Sequence, residues 1–279
     1  MSDESGAKSA ETVQQQVNVF APTCLDIWLN EPRNAPESRA PANLLRLWFP
    51  ESILAHDSKD NLLWEYTFER RSASWQYVNE SIGDMKRGQA VRKVLQSVDA
   101  FDGLALNDCS ARWRETDIDL TLRITNVGPM AWSRLQTSIC LQRPAAPDYL
   151  DEENTRTYLV SDEGFVASAD LVFPARRRLV YAWMGEELPM KEGARRRLAA
   201  PALFVVSKDK RYVLGYAWQK ARRLFLNRAG CVKCLHSDPE FGHFEPQHQH
   251  QRQGIVFVNE GTLEDAYRRY CAWNEATDG

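Results

Sequence analysis

Residues 231–250 hold most of the side chains in this sequence that could do chemistry. A Cys-x-x-Cys pair comes first, and four of the five histidines follow it. Thiolate and imidazole are ligands that Zn²⁺ prefers in tetrahedral sites. One interpretation is a zinc site formed by Cys231, Cys234, His248 and His250. The alternative, which we adopt, is that the segment before residue 254 is a polar surface turn and that the chain holds no metal.

His236 is the centre of a second candidate site, in a stretch rich in turn-forming residues. Its imidazole could act as a general acid or base near neutral pH, and the neighbouring Asp238 could orient it. The alternative is a structural histidine that hydrogen-bonds backbone carbonyls and makes a loop rigid. If the protein is an enzyme, we expect His236 and Asp238 to be the catalytic residues.

Basic side chains form three clusters in a chain whose formal net charge is only −3. Guanidinium groups pair with carboxylates in a two-pronged geometry, so an acidic sugar would suit such a cluster. We interpret the clusters at residues 176–178 and 195–197 as solvated loop charge. The third contains Lys220, Arg222 and Arg223, and we expect its two arginines to bind the carboxylate of a ligand.

Three further residues complete the predicted binding site. Trp218 offers an aromatic face on which a sugar ring could stack, and Gln142 and Asn227 offer polar contacts. The sequence contains no GxGxxG or GxSxG motif and no glycine-rich phosphate loop, so we expect no nucleotide and no other cofactor. The slightly negative net charge also argues against a nucleic-acid partner, because binding to phosphates needs surplus positive charge.

The pattern of apolar residues predicts strands around these candidates. The clearest is 117–125, where Ile118, Leu120, Leu122 and Ile124 alternate with polar residues. This alternation is typical of a strand with one buried face and one exposed face. A turn that begins at Asn126 leads to a second predicted strand over 135–142, whose odd-numbered residues share one face.

The remaining segments continue this pattern to the end of the chain. Residues 158–166 and 203–214 each have an apolar run, a polar turn and a second apolar run, which predicts β-hairpins. A helix should begin at Thr262, with Asp265 completing its cap. No long helices alternate with the strands, which argues against a parallel α/β fold. We predict a mainly β fold, a large antiparallel β-sandwich with a short C-terminal helix.

The stretch from Asp119 to Trp132, with the strand 135–142, resembles the central part of galactose mutarotase-like β-sandwiches. There, a strand ending in Thr-Asn leads through a turn into a strand that carries site residues. Residues 224–265 are similar to a pattern in bacterial proteins of that build. The resemblance implies a supersandwich fold over residues 60–270 that binds sugars on a sheet face. It also implies a histidine on the strand 135–142, and this sequence has none there.

These observations lead to one functional expectation and two alternatives. We expect a protein that binds a sugar or sugar acid on a concave sheet face. If it is catalytic, the reaction would be proton transfer of the epimerase or lyase type. One alternative is a non-catalytic binding or interaction module that zinc stabilises. The other is a scaffold protein whose loops contact another protein.

The N-terminal residues lead to expectations about domain organisation and cellular compartment. Residues 1–16 are polar and predict a disordered tail, and residues 17–279 predict a single β-sandwich domain. The N-terminus has neither the basic start nor the apolar stretch of a secretory signal, and no apolar run reaches about 18 residues. We therefore expect a cytoplasmic protein with reduced cysteines and no membrane partner.

Overall fold

β-Strands make up most of the described part of the chain. A computed structural model describes residues 14–21, 24–30, 43–67, 75–79, 93–114, 116–173, 179–191, 193, 195–227 and 233–277. The strands are β1 (Gln14–Ala21), β2 (Cys24–Asn30), β3 (Asn43–His56), β4 (Leu62–Thr67), β5 (Gln76–Asn79), β6 (Lys93–Phe101), β7 (Ala105–Trp113), β8 (Asp117–Asn126), β9 (Arg134–Ala145), β10 (Thr157–Ser161), β11 (Gly164–Ala167), β12 (Leu179–Trp183), β13 (Leu198–Val206), β14 (Tyr212–Trp218), β15 (Ala221–Asn227), β16 (Leu235–Phe241) and β17 (Gln249–Glu260). One helix, α1 (Leu263–Thr277), ends the described chain.

These strands form two antiparallel sheets. Sheet A has the order β1-β2-β3-β9-β16-β15-β12, and β4 also pairs with β3. Sheet B has the order β11-β10-β13-β14-β17-β8-β7-β6-β5. The predicted fold class, a large antiparallel β-sandwich with a short C-terminal helix, is confirmed.

The main hydrophobic core lies between the two sheets, and alternation along the strands builds it. In β8, Ile118, Leu120, Leu122 and Ile124 are buried, as the pattern predicts. The odd-numbered residues of β9 from Leu135 to Arg143 are likewise buried, and three of them belong to this core. The even-numbered residues of β9 therefore point away from the core, to the outer face of sheet A.

A second hydrophobic cluster lies on the opposite side of sheet B. It joins strand residues such as Phe204 and Phe257 to Ala266 and Tyr270 of α1. The cap of this helix is the predicted one. The Asp265 backbone N–H donates to Thr262 Oγ1 at 3.2 Å, and the Thr262 N–H donates to Asp265 Oδ2 at 2.9 Å. The described fold thus has three layers, which are sheet A, sheet B and α1.

The structure differs from the sequence prediction at two segments. The polar turn expected before residue 254 is mostly strand, because β17 begins at Gln249 and pairs with β8 from Gln249 to Phe257. The loop expected around His236 is the strand β16. Residues 1–13 of the predicted tail lie outside the described residues, and β1 begins at Gln14. None of the described helices is long and apolar enough to span a membrane.

Candidate functional site

One row of paired residues runs over five strands of sheet A. Tyr181, Phe225, His236, Cys140 and Trp48 are successive cross-strand partners on β12, β15, β16, β9 and β3. Paired residues point to the same side of a sheet. That side is the outer one, because the neighbours of these residues along their strands face the hydrophobic core. The outer face of sheet A therefore brings together residues that are far apart in sequence.

His236 occupies the middle of this row and is only 2% exposed. Its Nδ1 lies 3.1 Å from Ser138 Oγ and 3.4 Å from Asp238 Oδ1. Its Nε2 lies 3.2 Å from Cys234 Sγ and 3.9 Å from Glu51 Oε2. Both ring nitrogens therefore have polar side-chain neighbours. The expected alternative, a histidine that hydrogen-bonds backbone carbonyls, does not describe these contacts.

Asp238 explains why β16 is a strand in spite of its turn-like sequence. The β9–β16 ladder has no paired residues between His236 and Glu240. There, the Ile139 backbone N–H donates to Asp238 Oδ1 at 3.1 Å. A side chain thus replaces a ladder bond next to Pro239, which has no N–H to give. Asp238 is consequently buried, and it is held in one position.

Arg223 neutralises this buried carboxylate. Its Nε donates to Asp238 Oδ2 at 2.9 Å, and its guanidinium lies over the rings of Tyr181 and Trp183 at 5.3 and 5.8 Å. Tyr181 in turn stacks on Phe225, with ring centroids 4.8 Å apart. A cation held between a carboxylate and two aromatic faces has little freedom to move. Arg223 therefore connects the buried cluster to the aromatic residues at the surface.

The buried cysteines and His236 shift one another's protonation. A hydrogen bond from the Cys140 thiol, aided by His236, lowers the pKa of Cys234 to about 5 in spite of burial. Burial alone would lower the pKa of His236, but the Asp238 carboxylate and Cys234 outweigh it and raise that pKa to about 10. Burial raises the pKa of Cys140 well above its ordinary value. Cys234 and His236 thus form a thiolate–imidazolium pair, and Cys140 stays a thiol.

Glu51 approaches the cluster from β3. Its side chain is 33% exposed, and its Oε2 accepts a hydrogen bond from Ser138 Oγ at 3.2 Å. Burial raises the pKa of Glu51, although the nearby His236 opposes that change. It is the most exposed carboxylate that contacts the His236 cluster among the described residues. The sequence analysis missed Glu51, because a single glutamate after a proline belongs to no motif that indicates a functional residue.

The predicted zinc ligands do not come together in the described residues. Cys231 lies outside them, and Cys234 directly precedes β16 of sheet A. His248 is exposed just before β17, and His250 lies on β17 in sheet B with its ring against Phe244. The physical reason is topological, because the chain crosses from one sheet to the other between β16 and β17. Proximity in sequence is therefore lost in space.

A different set of metal-ligating side chains does come together. Cys140, Cys234 and His236 each offer one donor atom, and these atoms all lie within 4.8 Å of one another. The sequence analysis did not group Cys140 with Cys234 and His236, because these two residues are more than 90 positions away along the chain. The signal that could have found it is the alternation of β9, which places it on the same face as Gln142.

The predicted binding residues divide into two groups. Gln142 and Asn227 face the cysteines, where the amide of Gln142 hydrogen-bonds Cys140 and that of Asn227 hydrogen-bonds Cys234. Trp218 is fully buried, and its Nε1 donates to the Tyr216 hydroxyl at 3.1 Å. It lies between the sheets because it is on the inward face of β14, so a ligand on the outer face of sheet A does not reach it.

Arg222 and Arg223 line a small cleft on sheet A together with Trp183. The polar side chains of Gln136 and Glu240 also line it. Of the other basic clusters, residues 176–178 lie outside the described part of the chain. The stacking surface that the sequence analysis assigned to Trp218 is available here instead, from Trp183 and the neighbouring Tyr181.

Comparison with solved structures relates this architecture to carbohydrate-active proteins. A galactose mutarotase-like protein from Clostridium acetobutylicum is 9% identical, with 90% of this chain and 99% of that chain covered and a TM-score of 0.48. A galactose mutarotase related enzyme from Lactobacillus acidophilus is 8% identical, with 90% and 99% covered and a TM-score of 0.47.

A third solved structure is similar over nearly the whole chain. It is the α-N-acetylgalactosaminidase NagBb from Bifidobacterium bifidum in complex with GalNAc, which is 11% identical with a TM-score of 0.55. The similarity covers 97% of this chain but only 39% of that one. No protein-family model matches the sequence, and no curated protein matches it significantly. The fold of this chain is therefore similar to that of the matched part of NagBb.

Proposed function

We propose that the chain binds a carbohydrate, and a sugar acid in particular, in the cleft on the outer face of sheet A. One observation carries the proposal, namely that the Trp183 ring and the Arg222 guanidinium line the same cleft. The exposed ring of Tyr181 lies next to Trp183 on β12, and Arg222 forms no ion pair with any residue that the structure describes. Sugar rings stack on aromatic faces, and carboxylates pair with guanidinium groups. The fold supports the same conclusion by analogy, because its structural neighbours are sugar-processing proteins.

Tyr181 and Trp183 supply the stacking surface. Tyr181 is 42% exposed, which is unusual for a tyrosine whose other ring face is stacked on a neighbour. Trp183 lies two positions further along β12, so both rings project from the same face of the strand. Arg223 lies over both rings and keeps them in place. A bound sugar would therefore meet a surface that is ordered before binding.

Arg222 supplies the preference for an acid. It is exposed and lines the cleft, and it forms no ion pair with any residue that the structure describes. Arg223, by contrast, is occupied by Asp238. We therefore assign the ligand carboxylate to Arg222, and we assign ligand hydroxyl groups to Gln136 and Glu240.

His236 and Asp238 have a different position in this arrangement. Both are almost completely buried. The small exposed part of Asp238 lines the cleft, whereas His236 does not line it. Asp238 acts as a positioning residue, because it fixes Arg223 and with it the aromatic rings. Direct proton transfer by His236 or Asp238 stays a prediction from the sequence.

The proposal can be tested by calorimetric titration with D-galacturonate and D-galactose as probes. The unmodified protein should bind both sugars and should bind the uronate more tightly. Arg222→Ala should weaken uronate binding by about tenfold or more, since it removes a hydrogen bond to a charged group, and should leave galactose binding unchanged. Trp183→Ala should weaken the binding of both sugars.

Arg268→Ala is the matched control, because Arg268 is a highly exposed arginine on α1, on the other side of the molecule. It should change neither affinity. The proposal is wrong if the unmodified protein binds neither sugar, or if Arg222→Ala and Arg268→Ala have the same effect on uronate binding.

A further inference from the structure

The outer face of sheet A holds a set of soft metal donors beneath the proposed sugar cleft. The donors are Cys140 and Cys234 Sγ and His236 Nε2, and Glu51 Oε2 stands 3.9 Å from that Nε2. We infer that these four side chains bind a thiophilic divalent cation, with Zn²⁺ as the ion of choice. This site goes beyond the proposed sugar binding and does not depend on it.

The strand geometry brings the donors to the separations that a metal needs. Cys140 and His236 are direct cross-strand partners, and Cys234 directly precedes β16, with its Sγ 3.2 Å from His236 Nε2. Zn²⁺ bonds of about 2.0–2.3 Å in a tetrahedron leave roughly 3.4–3.8 Å between neighbouring ligand atoms. The observed 3.2 Å between Cys234 Sγ and His236 Nε2, and 3.9 Å from Nε2 to Glu51 Oε2, bracket these values.

The surroundings of His236 are those of a metal-ligating histidine. Such a histidine binds the metal through one ring nitrogen and donates the other N–H to a carboxylate. Here Nε2 faces the sulfur and Glu51, while Nδ1 lies 3.4 Å from Asp238 Oδ1. Asp238 is itself fixed by Arg223 and by the backbone N–H of Ile139. When Nε2 gives up its proton to bind a metal, the remaining N–H is on Nδ1, on the side of Asp238, so the ring orientation that metal binding needs is already set.

The donor types select the metal. Two cysteine sulfurs and an imidazole suit Zn²⁺, whereas Mg²⁺ and Ca²⁺ prefer oxygen ligands. Cys140, Cys234 and His236 are all at least 97% buried, but Glu51 is a third exposed. The fourth ligand position therefore lies on the side that solvent reaches. This is the only group of three such donors within bonding reach among the residues that the structure describes.

Two measurements on the full chain test this inference. Protein produced with added zinc and then dialysed should contain about one Zn²⁺ per chain by elemental analysis. Co²⁺ added to chelator-treated protein should give a sulfur-to-cobalt charge-transfer band in the near ultraviolet. It should also give the visible absorption bands that are typical of tetrahedral Co²⁺. Cys234→Ser should lose both signals, and Asp238→Asn should lower metal affinity about 10–100-fold.

Cys271→Ser is the matched control, because Cys271 lies on α1 and is not part of the donor set. It should keep both signals. Cys234 is buried, so its replacement can also affect folding. The Co²⁺ spectrum of the unmodified protein decides the ligand type independently. The inference is overturned if that spectrum lacks the sulfur band, if zinc stays well below one per chain, or if a folded Cys234→Ser variant retains zinc.

Discussion

Asp238 is the residue on which the buried part of the site depends. Its carboxylate accepts from Arg223 and from a backbone N–H, and it contacts the His236 ring. Asp238→Asn keeps the size of the side chain but removes the charge that Arg223 neutralises. Because Arg223 is 28% exposed and can be hydrated in part, we expect a loss of about 1–3 kcal/mol in the free energy of unfolding. Urea unfolding of chelator-treated protein measures it.

Glu163→Gln is the control for this prediction. Glu163 pairs with Arg196 at 3.4 Å, but its side chain is 64% exposed. An exposed pair of this kind contributes about 0–1 kcal/mol. Equal losses for the two variants would show that the burial of Asp238 has no energetic consequence.

The sequence predicts some of these residues better than others for a physical reason. His236 and Asp238 are two apart on one strand, so their proximity is visible in the sequence. Cys140 and Glu51 reach the cluster from other strands, and only the pairing of β3, β9 and β16 brings them there. Trp218 was placed on the wrong face, because a strand that is buried on both sides has no alternation to show which face is inner.

At the level of elements, β14 and β17 each contain a glycine that packs against a large aromatic ring. A Cβ at Gly254 would lie 2.5 Å from the indole ring of Trp218, which is itself fully buried. Neither the ring nor the two paired strands can move aside at little cost. We expect Gly254→Ala to destabilise the protein by about 1–3 kcal/mol, as overpacking does. Thermal and urea unfolding measure it.

Gly242→Ala provides a matched comparison, because no atom lies within 4 Å of a Cβ built there. That substitution should be neutral or stabilising by up to about 1 kcal/mol through the unfolded chain. A Gly254→Ala variant as stable as Gly242→Ala would contradict the packing of Trp218 against β17.

The elements also show where local sequence patterns are sufficient to predict the structure. The alternation of β8 and the cap of α1 are local, and both were predicted correctly. The strand β16 was not, because Ser237, Asp238 and Pro239 are typical turn residues. Their strand conformation depends on Asp238 bonding β9, and that contact crosses 99 positions of the chain.

At the scale of the whole molecule, the three layers separate the candidate site from α1. The helix packs on the outer face of sheet B, whereas the cleft and the donor cluster lie on the outer face of sheet A. The sandwich core stands between them. A change that loosens α1 should therefore lower stability without altering the site.

Tyr270→Ala tests this separation of layers. Tyr270 is 4% exposed and packs near Phe204, Tyr267 and Trp273. Removing a buried aromatic ring should lower the free energy of unfolding by about 3–5 kcal/mol. At a temperature where the variant is still folded, its galacturonate affinity and its Co²⁺ spectrum should equal those of the unmodified protein. If either changes, the helix and the outer face of sheet A are coupled through the sandwich, and the site extends beyond the layer that carries its side chains.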